Sequence, residues 1–431
     1  MTQKQLYYIV SISIFLSLTP FLWLFTQTER MGGFLFGFAN IAGFLGAVLM
    51  LWQFILGTRS VTRLLSPNYV SFIKFHIFLG VYGSFFVLIH PVLEMIAYTE
   101  GIWFLFSPDF SSTYAAHITY GRFAFILFLF IWITSAFLRD KMSYRPWLYI
   151  HYLSYPLMVF VFIHAFQIGT YIFTIPFIKW YWIFLTGIFG VLVVWRLTRI
   201  FNLDKVRYEV VSKEHKPDNI TVYTLKPHGK RLQPDPGQFI YIKPSFFAEA
   251  HPFSVLKHDK KTGEISFGIK AVGQFTRLLR KVDINQTVYL EGPYGVFTRE
   301  GQNTDPKVIF AGGIGIVPFY ELVKRFGGKK TIMFYSNKKL EDALYREEFA
   351  ETLGSSYIDA VTREDPKDVK GNTVLKGRIT EDTVKTYLNN EFLSKGKFFI
   401  CGSPGFMAGV TKILKNLGIP QSRVHMEEFG F

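Results

Sequence analysis

The sequence predicts a multidomain membrane protein: an all-α bundle of six transmembrane helices, then an antiparallel β-barrel, then an α/β domain with Rossmann-like strand–helix alternation. Three observations predict it. Long apolar runs dominate up to about residue 203, beyond which Lys, Asp, Glu, Gly and Pro become frequent. From 206 to 296, short alternating stretches such as YEVVSKE, ITVYTLK, QFIYIK and EISFGIK lie between turn signals. From about 306 the pattern becomes strand, glycine turn and helix. The resulting boundaries are 1–204, 205–300 and 301–431.

Composition agrees with that division. Of 431 residues, 50% are hydrophobic and 47 are Phe, with a mean hydropathy of +0.23, which is ordinary only for a membrane protein carrying a water-soluble part. A single cysteine, Cys401, excludes a disulfide framework. The net charge of +15 suits a chain with many loop cations. No Arg/Lys-rich helix or aromatic-basic motif accompanies it, so nucleic acid is not an expected partner.

A span needs roughly 20 apolar residues, and the chain offers them at 6–26, 33–57, 70–97, 117–138, 147–170 and 178–201. The first follows Lys4 as a signal peptide would, but no small-x-small cleavage site closes it, so it is read as a membrane helix. Residues 58–69 carry Arg59 and Arg63, residues 139–146 carry Arg139, Lys141 and Arg145, and the last span exits through Arg196, Arg199, Lys205 and Arg207. Residues 98–116 hold Glu100 and Asp109 and no Lys or Arg. The positive-inside rule then places the basic loops, both termini and the C-terminal half in the cytoplasm of a multi-pass cell-membrane protein surrounded by lipid.

Ionisable side chains at membrane depth are costly and usually functional. The third span, FHIFLGVYGSFFVLIHP, carries His76 and His90, and the fifth carries His151 and His164. Both spans run outward, so His76 pairs in depth with His151 and His90 with His164, at levels roughly 20 Å apart for a rise of 1.5 Å per residue. Fourteen residues return to nearly the same helix face and thirteen do not, so Pro156 is expected to bend or rewind the fifth span. Facing imidazoles in a bundle suit bis-histidine haem iron. The alternative is that these histidines bond to neighbouring helices or line a proton path. His117, at the outer start of the fourth span, has no partner in this scheme and is read as interfacial.

The arrangement resembles the ferric reductase and NADPH oxidase superfamily, whose six-helix domain holds two stacked b-type haems in this way. The resemblance, extending to stand-alone bacterial NADPH oxidases, implies that a flavin barrel and a nucleotide domain should follow. The segment His251, Pro252, Phe253, Ser254 is similar to the strand that lays its aromatic ring and hydroxyl against FAD in reductases of the ferredoxin–NADP reductase type. Ser254 would reach the flavin edge where hydride arrives. In the following IKAVGQFT, Lys270, Gly273 and Thr276 are similar to the FAD pyrophosphate cradle.

The turn of Gly312, Gly313 and Gly315 after an apolar strand suits a pyrophosphate at a helix start, and with Pro318 it is similar to the nucleotide turn of the same reductases. Cys401 and Gly402, opening CGSP, match the strand end beside the nicotinamide. A buried strand cysteine is the plainer reading of Cys401. Lys338 follows the strand TIMFYSN where the adenosine ribose is read, and a cation there welcomes a 2′-phosphate, which favours NADPH with NADH as the alternative. Phe431, with Phe429 second, is the choice for a terminal aromatic covering the flavin.

The resemblance implies a route from NADPH through FAD and two haems to an external acceptor, because the flavin takes a hydride and gives electrons singly. Ser254, Cys401 and Phe431 would stand at the hydride-transfer site, and His76, His90, His151 and His164 would ligate iron. Dioxygen giving superoxide is the first choice of acceptor and ferric complexes the second. Oxygen-reducing members commonly carry a histidine one turn after the outer ligand and an arginine within the second span. Here the first position is Glu94 and the second span has no interior arginine. A haem-binding transporter or sensor is the reading from another class. No EF-hand loop or SH3 ligand is present, so no obligatory protein partner is expected.

Overall fold

A computed structural model of the chain describes residues 3–31, 33–58, 61–62, 69–364 and 373–428. The chain divides into two compact units between Ile200 and Phe201.

The first unit is helical. Its main helices are α1 (Gln3–Trp23), α2 (Phe34–Gly57), α3 (Tyr69–Phe78), α4 (Ser84–Ala97), α5 (Thr113–Ala136), α6 (Tyr144–Tyr152), α7 (Ser154–Ile168) and α8 (Pro176–Ile200). Among the described residues, six helical segments are long and apolar enough to cross a membrane: Tyr7–Thr28, Phe34–Gly57, Phe72–Ala97, Thr113–Ala136, Tyr144–Ile168 and Pro176–Ile200. The fourth begins before the predicted residue 117 because Ser112 caps it, its hydroxyl accepting from the Ala115 amide at 3.1 Å.

Two spans are interrupted between their histidines. The fifth breaks at Leu153, where α6 ends and α7 begins. Pro156 explains the break, since its ring has no N–H and crowds the carbonyl of Tyr152 four residues earlier. In the third, a π turn at Leu79–Gly83 joins α3 to α4, a feature the plain count of 100° per residue does not foresee. The Ser84 hydroxyl donates to the Gly80 carbonyl within the same turn.

The helix most enclosed by the others is α2, and Phe44, Val48 and Leu51 on it share a core with Phe21 of α1, Leu157 of α7 and Trp182 of α8. It packs lengthwise on α4, while α5 packs lengthwise on α7. Each histidine-bearing span therefore lies along one of the spans without paired histidines.

The second unit contains two sheets. The first is antiparallel: β1 (Val206–Lys216), β2 (Ile220–Pro227), β3 (Phe239–Lys243), β4 (His251–Ser254), β5 (Lys257–His258), β6 (Ile265–Lys270) and β7 (Thr287–Tyr294), in the order β4-β3-β7-β1-β2-β6-β5. Tyr208, Ile240, Phe267 and Leu290 fill its inner face. A short helix, α9 (Gln274–Leu279), follows β6.

The second sheet is parallel throughout: β8 (Lys307–Gly312), β9 (Thr331–Asn337), β10 (Tyr357–Val361), β11 (Thr373–Lys376), β12 (Lys397–Gly402) and β13 (Val424–Glu428), in the order β11-β10-β9-β8-β12-β13. The chain runs outward from β8 to β11, then crosses to lay β12 on the other side of β8. Its switch point lies between the carboxyl ends of β8 and β12, where open sheets of this kind bind ligands. The helices α10 (Tyr320–Phe326) and α11 (Pro404–Asn416) follow those two strands.

Candidate functional site

The four span histidines meet in two pairs. The ring centres of His76 and His151 are 6.0 Å apart, and those of His90 and His164 are 6.3 Å apart. Two metal–imidazole bonds of about 2 Å each, laid end to end, put ring centres about 6 Å apart.

The other ring nitrogen of each histidine is engaged. Nδ1–H donates to the Gln53 carbonyl from His76 at 3.0 Å, to the Ala39 carbonyl from His90 at 2.8 Å, and to the His117 carbonyl from His164 at 2.9 Å. The Nδ1 of His151 lies 3.3 Å from the Ser135 hydroxyl, which also accepts from the Trp147 indole at 3.2 Å. The three carbonyls fix the tautomer that leaves Nε2 as the basic nitrogen on His76, His90 and His164, the usual support for a metal-ligating imidazole, and the Ser135 hydroxyl is able to accept from His151 in the same way. The donor set fits iron held between two imidazoles at each level.

The neighbouring spans are shaped for these rings. A Cβ at Gly43 would sit 2.9 Å from the His90 ring, one at Gly57 3.3 Å from the His76 ring, and one at Gly121 2.5 Å from the His164 ring. Ala39, Gln53 and His117 each stand four residues before one of these glycines. One helical turn thus supplies both the gap for the imidazole and the carbonyl that holds it. Gly43 and Gly57 are spaced as His76 and His90 are, and so are Gly121 and Ser135. These second-span and fourth-span positions escaped the sequence reading, and a small residue recurring every fourteen along α2 and α5 is the signal that finds them.

A cavity opens beside the His90–His164 pair, lined among others by Asn40, Glu94, Tyr98, Phe104, Tyr114 and Arg122. Arg122 is held by its Nε donating to the Phe104 carbonyl at 2.6 Å. Glu94 lies one turn from His90, its Oε1 3.9 Å from Nδ1. The ring of His117 is half-buried and turned to the Thr113 carbonyl one helical turn earlier, so this residue serves the site through its backbone. At the other level the Arg139 guanidinium lies over Trp147, which stacks on His151. Arg59 and Arg63, the cations of the segment 58–69, lie outside the described residues.

In the antiparallel sheet, β4 carries all four residues of HPFS. Ser254 is buried opposite Phe239, and Phe253 and Pro252 face Ile240 and Tyr241 across the ladder. The His251 ring stacks on Phe275 with centres 3.9 Å apart, and Phe253 lies 5.9 Å from the same ring. Lys270 ends β6 and pairs with Asp218. A Cβ at Gly273 would meet nothing within 4 Å, so the backbone there is open to a ligand. The Thr276 hydroxyl is occupied locally: it accepts from the Val272 and Gly273 amides at 3.1 and 3.0 Å. It therefore shapes the turn rather than offering its hydroxyl to an anion.

The glycine turn and the CGSP segment interlock at the switch point. A Cβ on Gly315 would come 2.3 Å from the Cys401 carbonyl oxygen, and Cβ atoms on Gly312 and Gly402 would strike the Phe406 ring at 2.9 and 2.7 Å. Gly313 differs: its φ is +55° and a Cβ would meet nothing within 4 Å. Gly312, Gly315 and Gly402 thus serve packing, while Gly313 leaves space for an approaching phosphate. Residues Gly313–Phe319 form a 3₁₀ coil and α10 starts only at Tyr320, because Pro318 lacks the N–H a regular α-helix would use there.

Cys401 lies on β12 opposite Glu427 of β13. Burial pushes the Cys401 thiol well above its usual range and the Glu427 carboxyl up to about 8. Glu427 is a further polar group at this edge that the sequence reading passed over. Lys338 follows β9, half-exposed, 3.8 Å from Asp218. Phe431 and Phe429 lie outside the described residues.

Three family models cover most of the chain. Residues 42–162 match a ferric reductase like transmembrane component, residues 202–298 a FAD-binding domain and residues 309–412 an oxidoreductase NAD-binding domain. Ferric reduction oxidase 5 of Arabidopsis thaliana is 24% identical over 290 residues, 65% of this chain and 39% of its own length. Ferric reduction oxidase 4 of the same plant is 25% identical over 332 residues, 74% of this chain and 44% of its own. The reductase component of propane 2-monooxygenase of Mycolicibacterium goodii is 25% identical over 247 residues, 53% of this chain and 68% of its own. The chain thus spans less than half the length of the two plant proteins. The chain is a multi-pass membrane oxidoreductase that joins a ferric reductase-like transmembrane component to FAD- and NAD-binding domains, and in this it matches the ferric reductase/NADPH oxidase-type fusions.

Proposed function

We propose that the chain passes electrons from cytoplasmic NADPH through FAD and two bis-histidine b-type haems, at His76/His151 and His90/His164, to an acceptor on the far side of the membrane. Dioxygen, giving superoxide, is the first acceptor proposed. The observation that carries the reading is the pairing of four histidines at ring separations of 6.0 and 6.3 Å, each with its Nδ1 beside a carbonyl or hydroxyl oxygen. When bound, FAD takes a hydride from the nicotinamide and gives up electrons singly, which the haem irons carry one at a time.

The chain's residues do the rest. The imidazole Nε2 atoms would hold the metal, while three helix carbonyls and the Ser135 hydroxyl orient the rings. Ser254, Phe253 and His251 offer a hydroxyl and two ring faces to the isoalloxazine, and Lys270, beside the open backbone at Gly273, offers charge to the pyrophosphate. Gly313 leaves room for the dinucleotide phosphates, Cys401 and Gly402 bound the nicotinamide side, and Lys338 attracts the 2′-phosphate. Phe431 is proposed to cover the flavin until the nicotinamide enters.

Glu94 in the outer cavity favours a second reading, a ferric or metal reductase with the same wiring, since an acidic group beside the outer pair attracts metal cations. The visible spectrum of the purified protein tests the wiring: about two reducible low-spin haems per chain are expected, and their absence would sink it. Superoxide-dismutase-sensitive cytochrome c reduction, set against anaerobic ferric-chelate reduction, ranks the acceptors. Fast anaerobic iron reduction with negligible superoxide would place ferric complexes ahead of dioxygen.

A further inference from the structure

The turn between β1 and β2 presents one carboxylate to two sheets. Asp218 and Asn219 both adopt left-handed backbone conformations, with φ of +53° and +57°. The Ala271 amide donates to the Asn219 carbonyl at 3.0 Å and ties the turn to the loop after β6. From there the Asp218 carboxylate pairs closely with Lys270 through Oδ2, while its Oδ1 lies 3.8 Å from the Lys338 Nζ. Lys270 ends a strand of the antiparallel sheet and Lys338 follows a strand of the parallel one. Asp218 is mostly enclosed, its side chain 21% exposed against 51% for Lys338.

Two cations assigned to two different phosphates therefore share one acidic partner. A carboxylate between two ammonium groups neutralises half their charge and stands where each phosphate would bring its own. A pyrophosphate that draws Lys270 leaves Lys338 as the remaining partner of Asp218. A 2′-phosphate must then take Lys338 from that carboxylate, beside which it is repelled.

We propose that Asp218 is a shared counter-ion that stands in for phosphate at both lysines, weakens recognition of a 2′-phosphorylated adenosine at Lys338, and couples that recognition to occupancy of the flavin site. The proposal rests on the reading that Lys270 and Lys338 meet phosphates. Flavin binding lowers the affinity for a 2′-phosphate, and by reciprocity a 2′-phosphate loosens the flavin. The sign is opposite to that expected if Asp218 merely held Lys338 in place for its ligand.

Equilibrium titration of the full-length chain with adenosine 2′,5′-bisphosphate and with AMP, in FAD-loaded and FAD-free protein, tests this without turnover. Asp218→Asn is the main variant, since asparagine tolerates positive φ and keeps the turn; Lys338→Gln is its control. Loss of one such ion pair corresponds to about a two- to fivefold change in affinity. Asp218→Asn is expected to tighten the bisphosphate by that factor, to leave AMP unchanged, to abolish the weakening by FAD, and to slow FAD release on dilution. If Lys338→Gln weakens the bisphosphate while Asp218→Asn does nothing or also weakens it, the counter-ion role is overturned and the phosphate reading of Lys338 stands. If Lys338→Gln leaves the bisphosphate unchanged, the 2′-phosphate reading fails and this inference falls with it.

Discussion

Gly121 lies so close to the His164 imidazole that a Cβ on it would stand 2.5 Å from both Nδ1 and Cε1. The corresponding distance at Gly43 to His90 is 2.9 Å, and at Gly57 to His76 it is 3.3 Å. The smallest side chain is thus graded in its consequences along the two spans. Gly121→Ala must displace the ring or the helix, because close-packed interiors do not absorb an atom at that distance. It is expected to remove the haem proposed at His90 and His164 and lower the haem-to-protein ratio by about half. Gly57→Ala, at a distance a few tenths of an ångström can relieve, is expected to keep both haems. Equal haem content in the two variants would contradict the assignment of Gly121 to the His90–His164 site.

Ser135 is the exception among the four ring partners, a hydroxyl where the others are carbonyls. It lies beside His151 and accepts from Trp147. Removing a hydrogen-bond partner of a metal-bound imidazole typically costs 10- to 100-fold in affinity. Ser135→Ala is expected to speed haem loss to apomyoglobin by about tenfold for one of the two haems, with Ser135→Thr restoring retention. A uniform effect on both haems would mean that Ser135 acts on the bundle as a whole.

These partners mark the limit of what the sequence discloses. His76, His90, His151 and His164 are legible because polar atoms at membrane depth stand out against Phe, Leu and Ile. Pro156 is legible because a proline within a span has a fixed consequence for the carbonyl four residues before it. Gly43, Gly57 and Gly121 are not, since glycine is common in membrane helices and its role appears only when a facing ring is in place. The π turn at Leu79–Gly83 arises from backbone pairing across several residues, which no single residue announces. In the second unit the glycine turn was readable as a nucleotide turn, yet only packing against Cys401 and Phe406 separates Gly315 and Gly312 from Gly313. Glu427 was hidden for a similar reason: near a chain end an acidic residue reads as solvated, and its burial depends on β12 beside it.

The buried carboxyl of Glu427 should make stability depend on pH. Its folded value of about 8 lies above the ordinary 4.5, so between those values the folded chain holds a proton that the unfolded chain releases. Stability then falls as pH rises from about 4.5 to about 8 and levels off above. Glu427→Gln cannot ionise and lacks this slope. The thermal midpoint of the wild type, followed by flavin release, is expected to drop relative to Glu427→Gln across pH 5 to 8. Taking the difference between the two proteins separates Glu427 from His425 and Glu300, which pair on the same side of the sheet. Parallel pH profiles would show that the carboxyl is already ionised at neutral pH.

Glu94 and Arg122 line the same cavity beside the His90–His164 pair and carry opposite formal charges. A charge lining a cleft changes the encounter rate of a charged partner by about tenfold or more at low ionic strength, with the sign set by the partner. Cationic and anionic one-electron acceptors of similar size therefore report the two residues separately. Glu94→Gln is expected to slow reduction of hexaammineruthenium(III) relative to ferricyanide by about tenfold, and Arg122→Gln to shift the ratio the other way. Added salt should shrink both differences, since screening shortens the reach of exposed charge. Haem content, measured on the same samples, separates an altered approach from a lost cofactor. An unchanged ratio in Glu94→Gln with both haems present would remove Glu94 from the acceptor's path, and with it the observation that favours a metal acceptor over dioxygen.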